Sequence, residues 1–262
     1  MRFTAPRGRP FRAAFVCLAL LGCSAVAPAG PPPTVAARVL ERLPHDDTAF
    51  TEGLFVRDGH LFESTGLEGD SVIRQTDLAT GKVIREVEID PQYFGEGIVD
   101  WGDEIVSVTW RTGIGFRWKL GTLTQSGTFK YPGEGWGLTR TADAIILSDG
   151  TPALRFLDPV TMVEKRRVTV TDNGQPVPML NELEWVEGEI LANIWHADRI
   201  ARIDPASGRV KGWIDISAIA KATPQRDAES VANGIAWDAK QRRLYITGKN
   251  WPTLYRIAWP VK

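Results

Sequence analysis

Cysteine is nearly absent from this chain. There are two in 262 residues, Cys17 and Cys23, both close to the N-terminus. Whatever folds beyond them is held by packing and hydrogen bonds, without disulfides. Histidine is as scarce: His45, His60 and His196 follow no metal-ligand spacing, and no CxxC, Gly-x-Ser-x-Gly or phosphate-loop motif occurs. Charge of one sign is lacking too. With 31 Lys and Arg against 32 Asp and Glu, the net charge of −1 gives no sign of nucleic acid or an anionic membrane surface as partner. The only notable apolar run is "AAFVCLALLG" (13–22), too short to be a good membrane span.

That run follows "MRFTAPRGRPFR", which carries four Arg and no acid, and small residues come after it. The pattern predicts an export signal over residues 1–29, with cleavage after Ala27 or Ala29. Alternatively, "LLGC" resembles a bacterial lipobox, and Cys23 would then be lipidated as the mature N-terminus. Residues 30–36 read as a tether and residues 37–262 as one domain. The expected location is periplasmic or secreted, with the membrane reached only through a lipid on Cys23.

What the chain does have is a repeat. Five β-rich segments line up: "LFESTG" (61–66), "IVSVTW" (105–110), "IILSDG" (145–150), "ILANIW" (190–195) and "LYITGK" (244–249). Upstream of them lie "TEGLFV", "GEGIVD", "GWGLTR", "NELEWV" and "ANGIAW", separated from their partners by turn residues such as Asp58-Gly59, Gly102-Asp103 and Glu187-Gly188. These are hairpins. A third strand follows each pair, with Arg at its third place (Arg74, Arg117, Arg155, Arg202, Arg256) in a solvated or blade-packing role. A fourth strand follows in four units. The fifth runs out of chain at Lys262, while "ARVLERLPHD" (37–46) looks like the missing piece. The prediction is an all-β fold: a five-bladed β-propeller of four-stranded antiparallel blades, the N-terminal strand closing the last one.

In that geometry the start of each first strand and the end of each second strand meet near the axis, on one face. The first strands bring Glu52, Glu96, Trp136, Asn181 with Glu182, and Asn233; the second strands bring Gly66, Trp110, Gly150, Trp195 and Lys249. Carboxylates, amides, one ammonium and three indoles in one cleft point to a ligand site. Indoles also pack between blades, and Trp101, Trp118, Trp185, Trp213, Trp237 and Trp259 are the better core candidates; Trp251 fits either role. Two other functions share this frame: a metal-dependent propeller hydrolase of lactonase type, whose usual six blades disagree with five, and a non-catalytic binding propeller.

At these positions the chain resembles the glutaminyl-peptide cyclotransferases of the plant and bacterial propeller type. The resemblance rests on "AFTEGL" (49–54), "FGEGI" (94–98), "VTW" (108–110), "LNELEW" (180–185), "ANIW" (192–195), "ANGIAW" (232–237) and "TGKNWP" (247–252), and covers about residues 37–262. It implies a five-bladed propeller and an acyltransferase that turns an N-terminal Gln into pyroglutamate, releasing ammonia. It places proton transfer on Glu96, polar partners on Asn181 and Lys249, and an aromatic pocket on Phe50, Trp110, Trp136 and Trp195. The family pattern has Gln where this chain has Glu52. A second carboxylate there would strengthen binding of a cationic N-terminus or raise the Glu96 pKa. The implied partners are peptides or proteins beginning with Gln, acted on by a monomer with neither metal nor organic cofactor.

Overall fold

The computed structural model describes residues 1–4 and 30–260. Cys17, Cys23, Ala27 and Ala29, on which the export reading turns, lie outside the described residues, as does the end of the chain at 261–262.

The sheets follow the repeat. Four-stranded antiparallel blades are built on the inner strands Thr51–Arg57, Gly95–Trp101, Leu138–Arg140, Leu180–Val186 and Ala232–Asp238. Each pairs with the strand after it: His60–Thr65, Glu104–Thr109, Ile145–Leu147, Glu189–Ile194 and Arg243–Gly248. The hairpin turns carry the expected chemistry. Asp58 and Gly59 sit at φ 52° and 79°, Glu187 and Gly188 at 49° and 89°, the left-handed pair of a tight two-residue turn.

The inner strands touch their neighbours in a ring, and between each two adjacent blades lies one apolar cluster. Phe55, Phe62 and Ile73 of the first blade meet Ile98, Ile105 and Trp118 of the second. Val106 and Val108 meet Leu138 and Leu147; Ile146 and Phe156 meet Leu183 and Ile190. Leu191 and Ile214 meet Ile235 and Ile246; Leu54 and Leu61 meet Tyr245 and Leu254. Each such side chain taken fully out of water contributes roughly 1.5–3 kcal/mol. Of the six indoles expected in the core, Trp118, Trp213 and Trp237 are buried, whereas Trp101, Trp185 and Trp259 are only half-buried; Trp251, which fitted either role, is buried, its indole N–H donating to the Ser230 carbonyl at 3.0 Å.

Ring closure follows the sequence reading. Val39–Pro44 pairs antiparallel with Thr253–Ile257 as the outer strand of the fifth blade. Its neighbour His45 donates from Nε2 to the Glu63 carboxylate of the first blade at 3.0 Å and from Nδ1 to the Trp251 carbonyl at 2.6 Å. Burial alone would lift the Glu63 carboxyl, but His45 and Arg74 hold it down at about 2. One expectation needs correcting. Residues 30–36 are not wholly a tether: Thr34–Ala36 adds to the fourth blade as a fifth strand, parallel to Val210–Asp215. The outer edge of that blade offered unpaired N–H and C=O groups, and the extended Pro-rich segment meets them, beginning with the Trp213 amide donating to the Pro33 carbonyl at 2.8 Å. The short helix Ser217–Ala222 was also not expected; it covers the cluster between the fourth and fifth blades with Ile219 and Ala220.

The repeated third-strand Arg is a blade tie. Arg74, Arg117 and Arg202 pair with Glu63, Glu104 and Glu189 on the second strands at 2.7, 3.1 and 2.8 Å. Arg155 and Arg256 pair instead with Glu164 and Glu41 on the fourth strands, at 3.0 and 2.7 Å.

At the axis the chain is tighter than elsewhere. Gly53, Gly97, Gly137 and Gly234 occupy the same repeat position, and Glu182 takes it in the fourth blade. A methyl on Gly97 would lie 2.6 Å from the Leu138 nitrogen and 2.7 Å from the Trp136 oxygen; one on Gly137 would lie 2.8 Å from the Glu182 Cα. These obstacles are backbone, so nothing cheap can move. Gly97→Ala is expected to destabilise the fold by about 3 kcal/mol through overpacking. Gly121→Ala, with nothing within 4 Å of the added carbon, should change little. Urea unfolding midpoints of the two variants check this.

Candidate active site

Four of the five inner strands lose register with their partners at the same end. The shift falls between Thr51 and Gly53, Gly95 and Ile98, Leu180 and Leu183, and Ala232 and Ile235. Each is a β-bulge, which leaves a residue unpaired and re-aims its side chain. The residues so released are Glu52, Glu96 with Gly97, Asn181 with Glu182, and Asn233 with Gly234. Polar side chains at one repeat position of the second strands hold the neighbouring blade's bulge. Ser64 donates to the Glu96 carbonyl, Ser148 to the Asn181 carbonyl at 2.6 Å, and Asn193 accepts from the Gly234 amide at 3.0 Å.

The structure brings together Glu52, Lys249, Phe50 and Asn233. Lys249 Nζ lies 2.7 Å from Glu52 Oε1 and 4.5 Å from the centre of the Phe50 ring. Asn233 Nδ2 donates to Glu52 Oε2 at 3.0 Å and to the Thr51 carbonyl at 2.9 Å. Glu52, Glu96, Asn181 and Lys249 are all buried. Burial pushes the Glu52 carboxyl up to about 7, with the Lys249 ammonium pulling the other way. Glu96 is raised well above the usual carboxylate range, first by burial and then by the charge of Glu52. Asn181 Oδ1 is buried with no hydrogen-bond partner among the described residues, as is Asn233 Oδ1.

The indoles and phenyl rings form the walls. Trp136 and Trp195 meet edge to face, centroids 5.7 Å apart. Trp110 packs on Phe94 at 5.4 Å, and Phe94 on Phe50 at 6.2 Å. Glycine makes the room: a methyl on Gly150 would lie 2.7 Å from the Trp136 ring, and one on Gly66 would run into the edge of the Phe94 ring. Two residues absent from the sequence-based set belong here. Phe94 stands two positions before Glu96, as Phe50 stands before Glu52, so the repeat itself carried the signal. Glu134 accepts from Trp136 Nε1 at 2.9 Å and lies 3.6 Å from Arg111, whose guanidinium covers Trp110 at 3.6 Å. No motif marked that bridge between two indoles.

Glu182 is turned away from this mouth. Its Oε2 accepts from the Ile235 amide at 2.8 Å, and burial raises its pKa well above the usual range. It plugs the axis where the other blades have glycine. Beyond it the channel opens at its far end into a cavity of about 990 Å³ lined by Trp101, Arg140, Glu184 and Trp185. Among the described residues no three His, Cys, Asp or Glu side chains converge as a metal-binding group.

The family described as glutamine cyclotransferase matches over residues 14–259. The chain belongs to that family. It is 43% identical over 223 residues to a glutaminyl-peptide cyclotransferase of Arabidopsis thaliana, covering 84% of this chain and 70% of the relative. The crystal structure of Myxococcus xanthus glutaminyl cyclase superposes with a TM-score of 0.82 at 36% identity, covering 87% of this chain and 97% of the other. The five-bladed architecture is thus shared with a solved member.

The aromatic wall has a measurable consequence. Phe94→Ala opens the contact between Phe50 and Trp110 and should raise KM about five- to tenfold with kcat changed less, the weight of an aromatic pair lost from a binding wall. Steady-state kinetics on a Gln-initiated peptide check it.

Proposed function

We propose that this chain is a glutaminyl-peptide cyclotransferase, converting an N-terminal Gln of peptides or proteins to pyroglutamate with release of ammonia. The observation that carries the reading is the mouth itself: a buried carboxyl with a raised pKa, Glu96, beside a buried ammonium, Lys249, inside a wall of Phe50, Phe94, Trp110, Trp136 and Trp195. Family membership supports it.

The reaction needs a proton taken, a charge stabilised and a proton returned. The α-amine nitrogen attacks the γ-carbonyl carbon, and Glu96 accepts the proton it sheds. The carbonyl oxygen gains charge, which the Lys249 ammonium stabilises; a fixed charge counts for more in this apolar setting than in water. Collapse breaks the bond to the amide nitrogen, Glu96 returns the proton, and ammonia leaves. The indoles hold the Gln side chain folded towards its own amine, so that conformational restriction contributes to the rate of an intramolecular step.

We infer export as the setting, in which the N-termini of secreted proteins would be within reach of this chain. The Arg-rich segment and apolar run at 1–22 favour a periplasmic or secreted enzyme, anchored if Cys23 carries a lipid. Detergent-dependent release from a membrane fraction, abolished by Cys23→Ala, would identify the anchored form.

Mass spectrometry of a Gln-initiated peptide should show loss of ammonia. Glu96→Gln, which preserves volume, should melt like the parent and lose about 100-fold or more in kcat, the usual weight of a general acid–base group. Near-normal turnover by that variant would remove Glu96 from the mechanism.

Lys249→Met should lower kcat by about 100-fold while KM moves far less, because the oxygen is neutral until the amine attacks. Activity should persist in EDTA. If EDTA abolished turnover and Lys249→Met did not, a metal-dependent propeller hydrolase would replace this reading.

A further inference from the structure

The mouth contains an imbalance. Two carboxyls, Glu52 and Glu96, are buried with one ammonium, Lys249. A low-dielectric site does not carry two unneutralised negative charges, so the ammonium must be assigned to one carboxyl. The geometry makes that assignment. Glu52 has both oxygens occupied, Oε1 by Lys249 Nζ at 2.7 Å and Oε2 by Asn233 Nδ2 at 3.0 Å. Lys249 is further fixed over the Phe50 ring at 4.5 Å. Glu96 has no such clamp: it feels Lys249 across space, without a hydrogen bond from it.

We propose that Glu52 is a positioning residue that captures the Lys249 ammonium and so leaves Glu96 as the carboxyl that carries the mobile proton of the cyclisation. The inference rests on the reading above and goes past it by giving Glu52 a role. Of the two roles open for an extra carboxylate, this one acts through Lys249 and Glu96 and needs no contact with the substrate amine.

The other groups around the pair do not replace Lys249. Glu96 is faced by Glu52, Lys249 and, from the rim, Glu134, and its charge reaches the Tyr131 hydroxyl below. Glu52 is faced by Lys249, Asn233 and, from the rim, Glu229. Glu229 itself lies 3.3 Å from His196, whose ring packs tilted against Trp195 with centroids 4.4 Å apart. Among the described residues Lys249 is the one cation that acts on both carboxyls. If Glu52 loses its charge, the ammonium is free to pair with Glu96, and Glu96 ionises at lower pH. It is then a weaker base for the amine proton.

Glu52→Gln tests this. The amide keeps the volume and still offers an oxygen to Lys249 or Asn233, so the fold should persist, and a cooperative melt verifies it. The wild-type enzyme is first shown to release ammonia from a Gln-initiated peptide; without that release the functional reading fails and this inference is not reached. Profiles of kcat/KM against pH are then compared, the substrate amine contributing equally to each. In Glu52→Gln the enzyme's own ionisation should move to lower pH by about one unit or more. Glu52→Asp keeps a charge beside Lys249 and should leave it near the wild-type position. In a Lys249→Met background no ammonium remains to be released and only the direct repulsion between the two carboxyls is left, so the Glu52→Gln shift should shrink. A Glu52→Gln profile that superimposes on wild type overturns the proposal. So does a change confined to KM, which would mark Glu52 as a plain contact to the substrate ammonium.

Discussion

Five inner strands crowd one axis, and the rest of the molecule follows from how closely their backbones approach. A propeller of few blades has a narrow centre. Here it is so narrow that the innermost ring takes glycine in four blades: backbone atoms of the next strand stand where a Cβ would at Gly53, Gly97 and Gly137, and Gly234 holds a φ of 122°. The one side chain admitted to that ring, Glu182, fills the space the others leave and hydrogen-bonds across to the fifth blade.

The same crowding shapes the site. Strands that cannot stay in flat register at the axis bulge, and the bulges in four blades fall at one end. Every polar group of the first strands that faces the mouth comes from such a bulge or from its edge. Hydroxyl and amide side chains of the second strands then pin the bulged backbone of the neighbouring blade. Positions so braced from two blades are suited to holding a carboxyl and an ammonium in burial, where a small misplacement would leave a charge unpaired. The aromatic wall follows a large–small alternation, with Trp110 and Trp195 at the second-strand ends and Gly66 and Gly150 between them. That spacing gives Phe94 and Trp136 room to lie down.

Stability at the rim depends on pairings that join distant parts of the chain. The closing strand, His45, Glu63 and Arg74 tie the N-terminal segment to the first and fifth blades. The Glu partners of the repeated Arg residues do the same within each blade. The cluster of His45, Glu63 and Arg74 is buried and demanding: removing one member strands the others in a dry setting, so it enforces the register of the closure more than it adds to net stability.

The sequence alone determined the blade count, the hairpins and the interlocked closure. Those features depend on period-two patterning, turn chemistry and repetition, which are local and recur five times, so that noise in one unit is corrected by the others. It also placed Glu96, Lys249 and the three indoles on one face, because strand direction alternates predictably, and its motifs pointed to the family that the comparisons bear out. Three things were decided only by the tertiary structure. Thr34–Ala36 is a strand because an unpaired edge lay within reach, and its Pro-rich composition suited a tether equally well. Glu134 joins the wall because indoles from different blades converge on it, Trp136 directly and Trp110 through Arg111. And Lys249 belongs to Glu52, residues 197 apart in the chain: which of two buried carboxyls takes a single ammonium is set by ångström differences in bulged backbone. Spacing along the chain carries no record of those differences.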